Sequence, residues 1–485
     1  CKLALPRAGT LCAANFAVAQ HCGGQMAAPL GTRTGATDGP PPPCAQHTAV
    51  TMTKLELRAS LGLAGIYALR MLGMFLILPV FALYAHQLPG GDNPTWIGLA
   101  LGSYGLTQAL LQLPLGMLSD RIGRKKVIYG GLAVFALGSF VAAGAHDLLT
   151  LTLGRTLQGA GAISAAVTAL LADLTREEHR TRAMAMIGMT IGLTFAASLV
   201  LGPLLARLIG VPGIFALTGA LSLLALVWVK FAIPDPSVSR FHSDTEANTA
   251  RLPAVLRDGQ LLRLNFGIFA LHAAQMAMFV VIPFALLHHG LDKAHHWQVY
   301  LPVVVAGFVL MVPAIIYGEK RHQLKKVFVA AIALMAAAQL GMTLALDSLT
   351  AIVVLLAGYF IAFNILEATL PSLISKIAPA DAKGTAIGVY NTAQSLGLFL
   401  GAAAGGWLYS HGGAPFVFAF CSALMLLWLL MAITMRPPRA VRTQMLALPD
   451  GWQGNPATLS ARLRALHGVE EAVVIAAERV AYLKV

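Results

Sequence analysis

Three charged residues lie well away from the ends of long apolar stretches of this sequence: Glu367, Arg155 and Arg70. A charged side chain in such a stretch is costly in a membrane and is a candidate for function. A carboxyl group in a low-dielectric cavity can hold a proton at neutral pH, and a nearby guanidinium changes its affinity for protons. Glu367 is therefore the first candidate for proton exchange. The alternatives are a buried ion pair or a neutral hydrogen-bonded acid for Glu367, and an interfacial position that reaches water for Arg155.

Neutral polar side chains in the same stretches could line a cavity. Gln108 and Gln112 are four residues apart, which places them on one face of a helix. The other candidates are Gln158, His272, Gln275, Asn364, Asn391 and Gln394. No catalytic constellation, phosphate-binding loop or metal-ligand set accompanies them in the sequence. We therefore predict neither an enzyme nor a bound cofactor or metal.

The composition indicates a membrane protein. Hydrophobic residue types make up 57% of the 485 residues and charged types 11%, against about 25% charged in ordinary soluble domains. Lipid cannot satisfy free backbone polar groups, so apolar runs of about 20 residues should cross it as helices. Such runs occur near 60–86, 95–118, 126–145, 148–174, 183–209, 212–233, 264–288, 297–317, 327–346, 349–377, 384–410 and 414–435. We predict an all-α integral membrane protein with twelve transmembrane helices.

Basic residues are concentrated in alternate loops between these runs. They follow runs two, four, six, eight, ten and twelve, whereas the loops at 87–95 and 146–147 contain no Lys or Arg. The positive-inside rule then places both termini in the cytoplasm. Orientation in the membrane thus accounts for the net charge of +13, and we predict no nucleic-acid partner.

Glycines recur at intervals of about 200 residues. The pairs are Gly116 with Gly318, Gly154 with Gly358, and Gly188 with Gly388. Two parallel halves of this kind suit a carrier that opens to each side of the membrane in turn. We predict a six-helix bundle at 52–235, a cytoplasmic linker at 236–263 and a second six-helix bundle at 264–436. Residues 1–51, rich in Ala, Gly, Pro and Thr, are predicted to be a disordered extension before a natural start at Met52.

The loop after the second run reads Gly116-Met-Leu-Ser-Asp120-Arg121-Ile-Gly123-Arg124-Lys-Lys. Its glycine allows a neighbouring helix to approach closely. Its aspartate can receive a helix N-terminus, whose partial positive charge favours an anion. The segment resembles the signature of the major facilitator superfamily between its helices two and three, Gly-x-Leu-x-Asp-Arg-x-Gly-Arg-Lys.

The resemblance implies that Asp120 meets the start of run eleven, near Gly384, and that this contact latches the two halves on the cytoplasmic side. The alternative is a tight basic turn that only sets topology. Asp173, at the cytoplasmic end of run four, is expected to pair with basic residues of the loop. Arg155 and Gln158 belong to a segment that is similar to the superfamily's helix-four pattern, Arg-x-x-Gln-Gly.

The tail, 437–485, reads differently from the rest of the chain. We predict a strand at 443–448, a helix at 456–466 and a hairpin of 469–476 with 480–485. This βαββ order is the first part of a ferredoxin-like fold, so we expect a partial α/β domain without the last helix and strand. The tail looks like that of the YajR-type transporters within the superfamily, to which the segment 67–83 is also similar.

These resemblances imply a secondary active transporter with a substrate cavity at the membrane midplane, between the two bundles. We expect proton-coupled efflux of a small amphipathic solute or drug by alternating access, in the inner membrane of a bacterium. The alternatives are a proton-coupled importer and a membrane sensor that signals through the tail. The expected ligands are a small molecule and protons, and we expect a monomer in the lipid bilayer.

Overall fold

The structure, a computed structural model, describes residues 52–234, 249–379, 382–436, 443–448, 454–466, 469, 471–476 and 480–484. The extension predicted at 1–51 lies outside the described residues, as do 236–248 of the predicted linker and parts of the tail. The chain divides into a helical unit, 56–378 with 382–438, and a second unit that contains the tail, 439–485, together with 1–55 and 379–381.

Seven α-helices form the described part of the chain before residue 235. They are α1 (Lys54–Phe75), α2 (Leu78–Ala85), α3 (Pro94–Ile122), α4 (Arg124–Ala143), α5 (Leu148–Ala160), α6 (Ser164–Asp173) and α7 (Glu177–Ala232). The run predicted at 148–174 is thus two helices, separated by residues 161–163. The separating segment packs closely on α4, because a Cβ added to Gly161 would lie 2.5 Å from the carbonyl oxygen of Gly131.

Six α-helices lie between residues 249 and 436 in the described part of the chain. They are α8 (Leu252–Arg257), α9 (Gly259–His288), α10 (Trp297–Lys320), α11 (Leu324–Leu344), α12 (Leu349–Ile377) and α13 (Lys383–Ile433).

Side-chain caps set several of the helix starts. The Asp258 carboxylate accepts hydrogen bonds from the backbone N–H groups of Gln260 (2.7 Å) and Leu261 (3.1 Å), so α9 begins five residues before the predicted apolar run. Asp147 caps α5 in the same way, through the backbone N–H and the hydroxyl of Thr150. These two hydrogen bonds hold the pKa of the Asp147 carboxyl below its ordinary value.

The two longest helices each contain one glycine with non-helical geometry. Gly210 in α7 has φ 70° and Gly413 in α13 has φ 68°. Glycine adopts such positive values without steric penalty. A proline follows two residues later in both helices, at Pro212 and Pro415. Each long helix therefore consists of two helices that meet at an equivalent glycine.

Eight segments of the described chain are long and apolar enough to cross a membrane. They are Lys54–Ala85, Arg124–Ala143, Arg182–Ala232, Gly259–His288, Lys293–Lys320, Leu324–Leu344, Leu349–Ile377 and Lys383–Ile433. Large apolar side chains remain exposed on them, including Leu193, Phe231 and Leu344, each more than 70% exposed. Exposed apolar surface of this extent is what helices that face lipid require.

The two halves repeat the same local contacts. Lys125 Nζ donates a hydrogen bond to the carbonyl oxygen of Ile233 at 2.6 Å, and Lys325 Nζ donates one to that of Ile433 at 2.8 Å. In each case a lysine in the first turn of α4 or α11 caps the free carbonyls at the end of the last helix of its half.

The halves pack tightly on each other along the first part of α3. A Cβ added to Gly102 would lie 2.8 Å from the carbonyl oxygen of Phe399, and one added to Gly105 would lie 2.8 Å from that of Ser395. Glycine at these positions therefore allows α3 and α13 to approach to backbone contact. At the end of this contact, the hydroxyl oxygens of Thr95 and Ser410 are 3.0 Å apart.

The tail contains β1 (Thr443–Ala447), α14 (Pro456–Arg464), β2 (Glu471–Ile475) and β3 (Val480–Lys484). The strands form an antiparallel sheet in the order β1-β3-β2. Leu459 and Leu463 of α14 pack with strand residues such as Ala472 in one apolar core. The described residues of the tail have the order β-α-β-β, and the ferredoxin-like tail domain stays a prediction.

Candidate functional site

Arg70 lies at the centre of a buried polar network in the first half. It is 2% exposed. Its guanidinium donates to Ser164 Oγ of α6 at 2.6 Å and to Gln108 Oε1 of α3 at 3.0 Å. Tyr67 of α1 lies beside Ser164. Arg70 therefore joins three helices of this half, and sequence analysis had not singled out Tyr67 or Ser164 as site residues.

Arg155 forms a second buried network beside the first. It is 1% exposed, so the interfacial alternative is wrong. Its guanidinium donates to Gln158 Oε1 at 2.8 Å, and Gln158 Nε2 donates to Ser139 Oγ at 2.8 Å. The guanidinium also lies 4.8 Å from the centre of the Tyr104 ring, a favourable cation–π distance.

Glu367, His272 and Gln394 come together in the second half, from α12, α9 and α13. His272 Nε2 lies 2.8 Å from Gln394 Nε2 and 3.8 Å from a carboxylate oxygen of Glu367. His272 Nδ1 lies 3.1 Å from the carbonyl oxygen of Ile268. A carbonyl can only accept, so Nδ1 carries the hydrogen and Nε2 accepts from the Gln394 amide. In this arrangement His272 is neutral and does not donate to Glu367.

An aromatic row connects the two halves next to this group. The Phe195 ring of α7 lies 5.0 Å from Phe75 of α1 and 5.2 Å from Phe363 of α12, between ring centres. Phe363 in turn lies 6.0 Å from the His272 ring and 5.9 Å from the ring of Tyr359. The acid of Glu367 is therefore close to a surface that suits flat, apolar groups.

Several buried polar atoms near these residues have no hydrogen-bond partner within the described part of the chain. In the second half they are Oε2 of Glu367, both amide atoms of Gln275, Nδ2 of Asn364, and the hydroxyls of Tyr359 and Tyr390. Buried polar groups are normally paired, since leaving one unpaired costs about 1–3 kcal/mol. These atoms could be satisfied by a bound ligand or by water.

The signature loop between α3 and α4 is organised around Arg124, which is 3% exposed. Its guanidinium forms an ion pair with Asp120 and donates to Ser119 Oγ at 2.9 Å. It also lies 3.5 Å from a carboxylate oxygen of Asp173. Gly123 has φ 103° and so permits the turn between the helices.

A small cavity of about 40 Å³ lies between this loop and the start of α13. Its lining includes Gln112, Gly116, Asp120, Arg124, Gly384 and Asn391. The structure thus brings the residues of the expected latch to one place, with Asp120 and Gly384 on the same cavity. Arg121 is exposed on the surface.

Sequence analysis missed an ion pair at the start of α1. Glu56, 5% exposed, accepts hydrogen bonds from Arg176 through its backbone N–H (3.0 Å), Nε (2.9 Å) and Nη2 (3.0 Å). Two features of the sequence could have indicated this pair. One is an acidic residue in the first turn of an apolar helix, and the other is the basic loop after run four. The pair fixes the loop between α6 and α7 to the first helix.

The fold is that of a transport protein of the major facilitator type. The family model of the Major Facilitator Superfamily matches residues 63–402 and 319–466, and the chain belongs to this superfamily. It is 42% identical over 434 residues to the "Inner membrane transport protein YajR" of Escherichia coli K12, covering 90% of this chain and 95% of that protein.

More distant relatives are similar over much of the chain. The "Multidrug resistance protein MdtH" of Aeromonas hydrophila is 27% identical, over 70% of this chain and 85% of its own length. The crystal structure of a bacterial homologue of the human lysosomal transporter Spinster, inward-facing and occupied, matches with a TM-score of 0.61 at 14% identity. It covers 79% of this chain and 94% of that one, and it supports the fold alone.

Proposed function

We propose that this chain is a secondary transporter of the bacterial inner membrane that exports a small amphipathic solute in exchange for protons. The observation that carries the proposal is the position of the Glu367 carboxyl, next to His272 and to the aromatic row between the halves. The similarity to a protein named for multidrug resistance supports export, and the similarity to one named an inner membrane transport protein supports the location.

Twelve membrane spans follow if α7 and α13 each count as two helices, divided at Gly210 and Gly413, and if α1–α2 and α5–α6 each count as one. An even number places both termini on one side. The basic loops assign that side to the cytoplasm. Gly384 and Asp120 then lie at the cytoplasmic end, and Thr95 and Ser410 at the external end.

The proton step takes place at Glu367. The Glu367 side chain is 27% exposed, although its Oε2 atom is buried. A proton and the positively charged head of a cargo molecule compete for the same carboxylate, because only the ionised form attracts the cation. Protonation of Glu367 therefore releases the cargo, and loss of the proton prepares the site for the next molecule.

His272 and Gln394 control the protonation and the hydrogen bonding of the Glu367 carboxyl. While the Gln394 amide donates to Nε2, His272 has no hydrogen to offer Glu367. If α13 moves away from α9, Nε2 is free to take a proton and to pair with Glu367. Movement of the halves is thereby linked to the protonation of the pair.

The apolar part of the cargo packs against the aromatic row. Phe195 and Phe75 come from the first half and Phe363 from the second, so a molecule packed against all three loses contacts when the halves separate. In the first half, Arg70 and Arg155 are already bonded to neutral side chains. These hydrogen bonds hold the helices of that half together.

Proteoliposomes that contain the purified protein and a pH-sensitive dye in the lumen would test the proposal. Lipophilic monocations, neutral amphiphiles and sugars are added from outside, with empty vesicles as the control. We expect protein-dependent proton movement with the lipophilic cations, in the direction opposite to the cargo. Co-directional movement would indicate an importer, and saturable binding without proton movement would indicate a sensor.

A further inference from the structure

A groove of about 380 Å³ runs along the surface of the first half, between α1 and α7. Its lining includes Leu61, Gly65, Leu69 and Leu72 of α1 and Thr194 and Trp228 of α7. Leu61 and Trp228 are more than half exposed, so the groove opens to the outside of the helical unit. No heavy atom of the described chain lies within 4 Å of a Cβ added to Gly65, so this glycine leaves the floor of the groove open.

The groove has the length and polarity of a lipid chain. Leu61 and Leu72 mark its extent on α1, and at the rise of an α-helix they are about 16 Å apart. This is close to half of the ~30 Å hydrocarbon thickness of a bilayer. The lining is apolar except for the Thr194 hydroxyl and the Trp228 indole. One acyl chain of a single leaflet therefore fits the groove along its whole length.

Positive charge surrounds one end of the groove. Arg58 is exposed and precedes Leu61, Gly62 and Gly65 by three, four and seven residues, which places it on the same face of α1. Lys230 is also exposed at this end, in the last turn of α7, but a spacing of two residues places it on a different side of the helix from Trp228.

The neighbouring acid does not offset this charge. Glu56 lies two residues before Arg58, but its carboxylate is buried and bonded to Arg176. Arg182, exposed near the start of α7, adds a third cation at the same end. The charges therefore favour an anionic group at this end of the groove.

The second half contains the same helix contact without the exposed tryptophan. A Cβ added to Gly267 would lie 2.6 Å from Trp428 Nε1, and one added to Gly62 would lie 3.2 Å from Trp228 Nε1. Trp428 is 1% exposed, whereas Trp228 is 52% exposed. The repeat therefore does not account for the open groove, which is a property of the first half.

We propose that this groove binds an anionic phospholipid from the leaflet that faces the basic end of the helices. One acyl chain lies along Gly65 and Leu69, and the phosphate is held by Arg58. The Trp228 indole lies at the level of the headgroup, where tryptophan is enriched in membrane proteins. The site is separate from the proposed transport path, because it uses the outer face of α1 and none of the residues around Glu367.

Native mass spectrometry of the full chain in mild detergent tests the site. Phosphatidylglycerol and phosphatidylcholine with the same acyl chains are titrated separately. We expect tighter binding of phosphatidylglycerol. Gly65→Phe fills the groove and should abolish the first bound lipid of either kind. Gly130→Phe is the matched control, because Gly130 is an exposed helix glycine of the same half that also has no atom within 4 Å of an added Cβ.

The charge is tested separately. Arg58→Gln should weaken phosphatidylglycerol binding by about fivefold, the effect of one cation near an anionic leaflet, and leave phosphatidylcholine binding unchanged. Lys326→Gln, an exposed lysine of the second half, is the control. Size-exclusion profiles and melting temperatures equal to those of Gly130→Phe establish that Gly65→Phe is folded.

Four results would overturn the proposal. One is equal lipid binding by Gly65→Phe and Gly130→Phe. A second is no preference of the wild-type chain for phosphatidylglycerol. A third is displacement of the lipid by glycerol 3-phosphate, which would assign the cations to a free phosphate. The fourth is a dimer that dissociates on Gly65→Phe, which would assign the groove to a second copy of the chain.

Discussion

Nε2 of His272 and a carboxylate oxygen of Glu367 are 3.8 Å apart, and the amide nitrogen of Gln394 donates a hydrogen bond to the same Nε2 at 2.8 Å. The histidine is therefore a neighbour of the acid without being its hydrogen-bond partner. If the Gln394 amide moved away from Nε2, His272 could take up a proton there and donate it in a hydrogen bond to Glu367. Under the proposed function, both a proton and a movement of α13 against α9 would therefore act on this group.

Glu367→Gln removes the exchangeable proton and keeps the shape of the side chain. We expect transport or binding of a cationic cargo to lose its dependence on pH completely, because an amide does not titrate. Flux in proteoliposomes measured at several pH values would show this. Glu319→Gln, at an exposed glutamate of the same half, should behave as the wild type. An unchanged pH profile in Glu367→Gln would rule out this carboxyl as the proton carrier.

Asp120→Asn tests the latch between the signature loop and α13. An anion at a helix N-terminus contributes about 0.3–2 kcal/mol, so we expect a shift of up to about thirtyfold towards the state in which this end is open, with slower transport. Membrane abundance is measured alongside the rate. Asp92→Asn, an exposed aspartate near the other end of α3, is the control. Normal transport by Asp120→Asn at equal abundance would contradict the latch.

Thr95→Cys combined with Ser410→Cys reports on the opposite end of the halves. The two hydroxyl oxygens are 3.0 Å apart, and a disulfide requires Cβ atoms about 3.5–4.5 Å apart. In a background in which the five native cysteines are replaced, we expect rapid crosslinking under mild oxidation. Transport should stop and return on reduction. If the crosslinked protein transports at the normal rate, the halves do not need to separate at this end.

Glu56→Gln tests the ion pair that sequence analysis missed. The carboxylate accepts three hydrogen bonds from Arg176, but the arginine side chain is 46% exposed, so solvent screens part of the interaction. We expect a loss of about 1–2 kcal/mol of stability, seen as a lower melting temperature in detergent. Glu319→Gln, at an exposed glutamate of the second half, is the control. An unchanged melting temperature would show that the pair contributes nothing measurable.

The sequence by itself determined the class of the protein and the location of most of its helices. Long apolar runs form helices in lipid, because a helix satisfies its own backbone hydrogen bonds there. The loop from Gly116 to Arg124 matches enough positions of the family signature to identify the superfamily. The recurrence of glycines at intervals of about 200 residues indicated two similar halves, and the doubled contacts Lys125–Ile233 and Lys325–Ile433 came from the structure.

Only the tertiary structure decided which polar residues meet. Arg70 and Ser164 are 94 residues apart in sequence, and His272 and Gln394 are 122 apart. Almost every position in a membrane helix is apolar, so periodicity shows weakly which face of a helix meets a neighbour and which meets lipid. The contacts of Tyr67, the neutral state of His272 and the open groove beside Gly65 all depend on how helices from distant parts of the chain pack together.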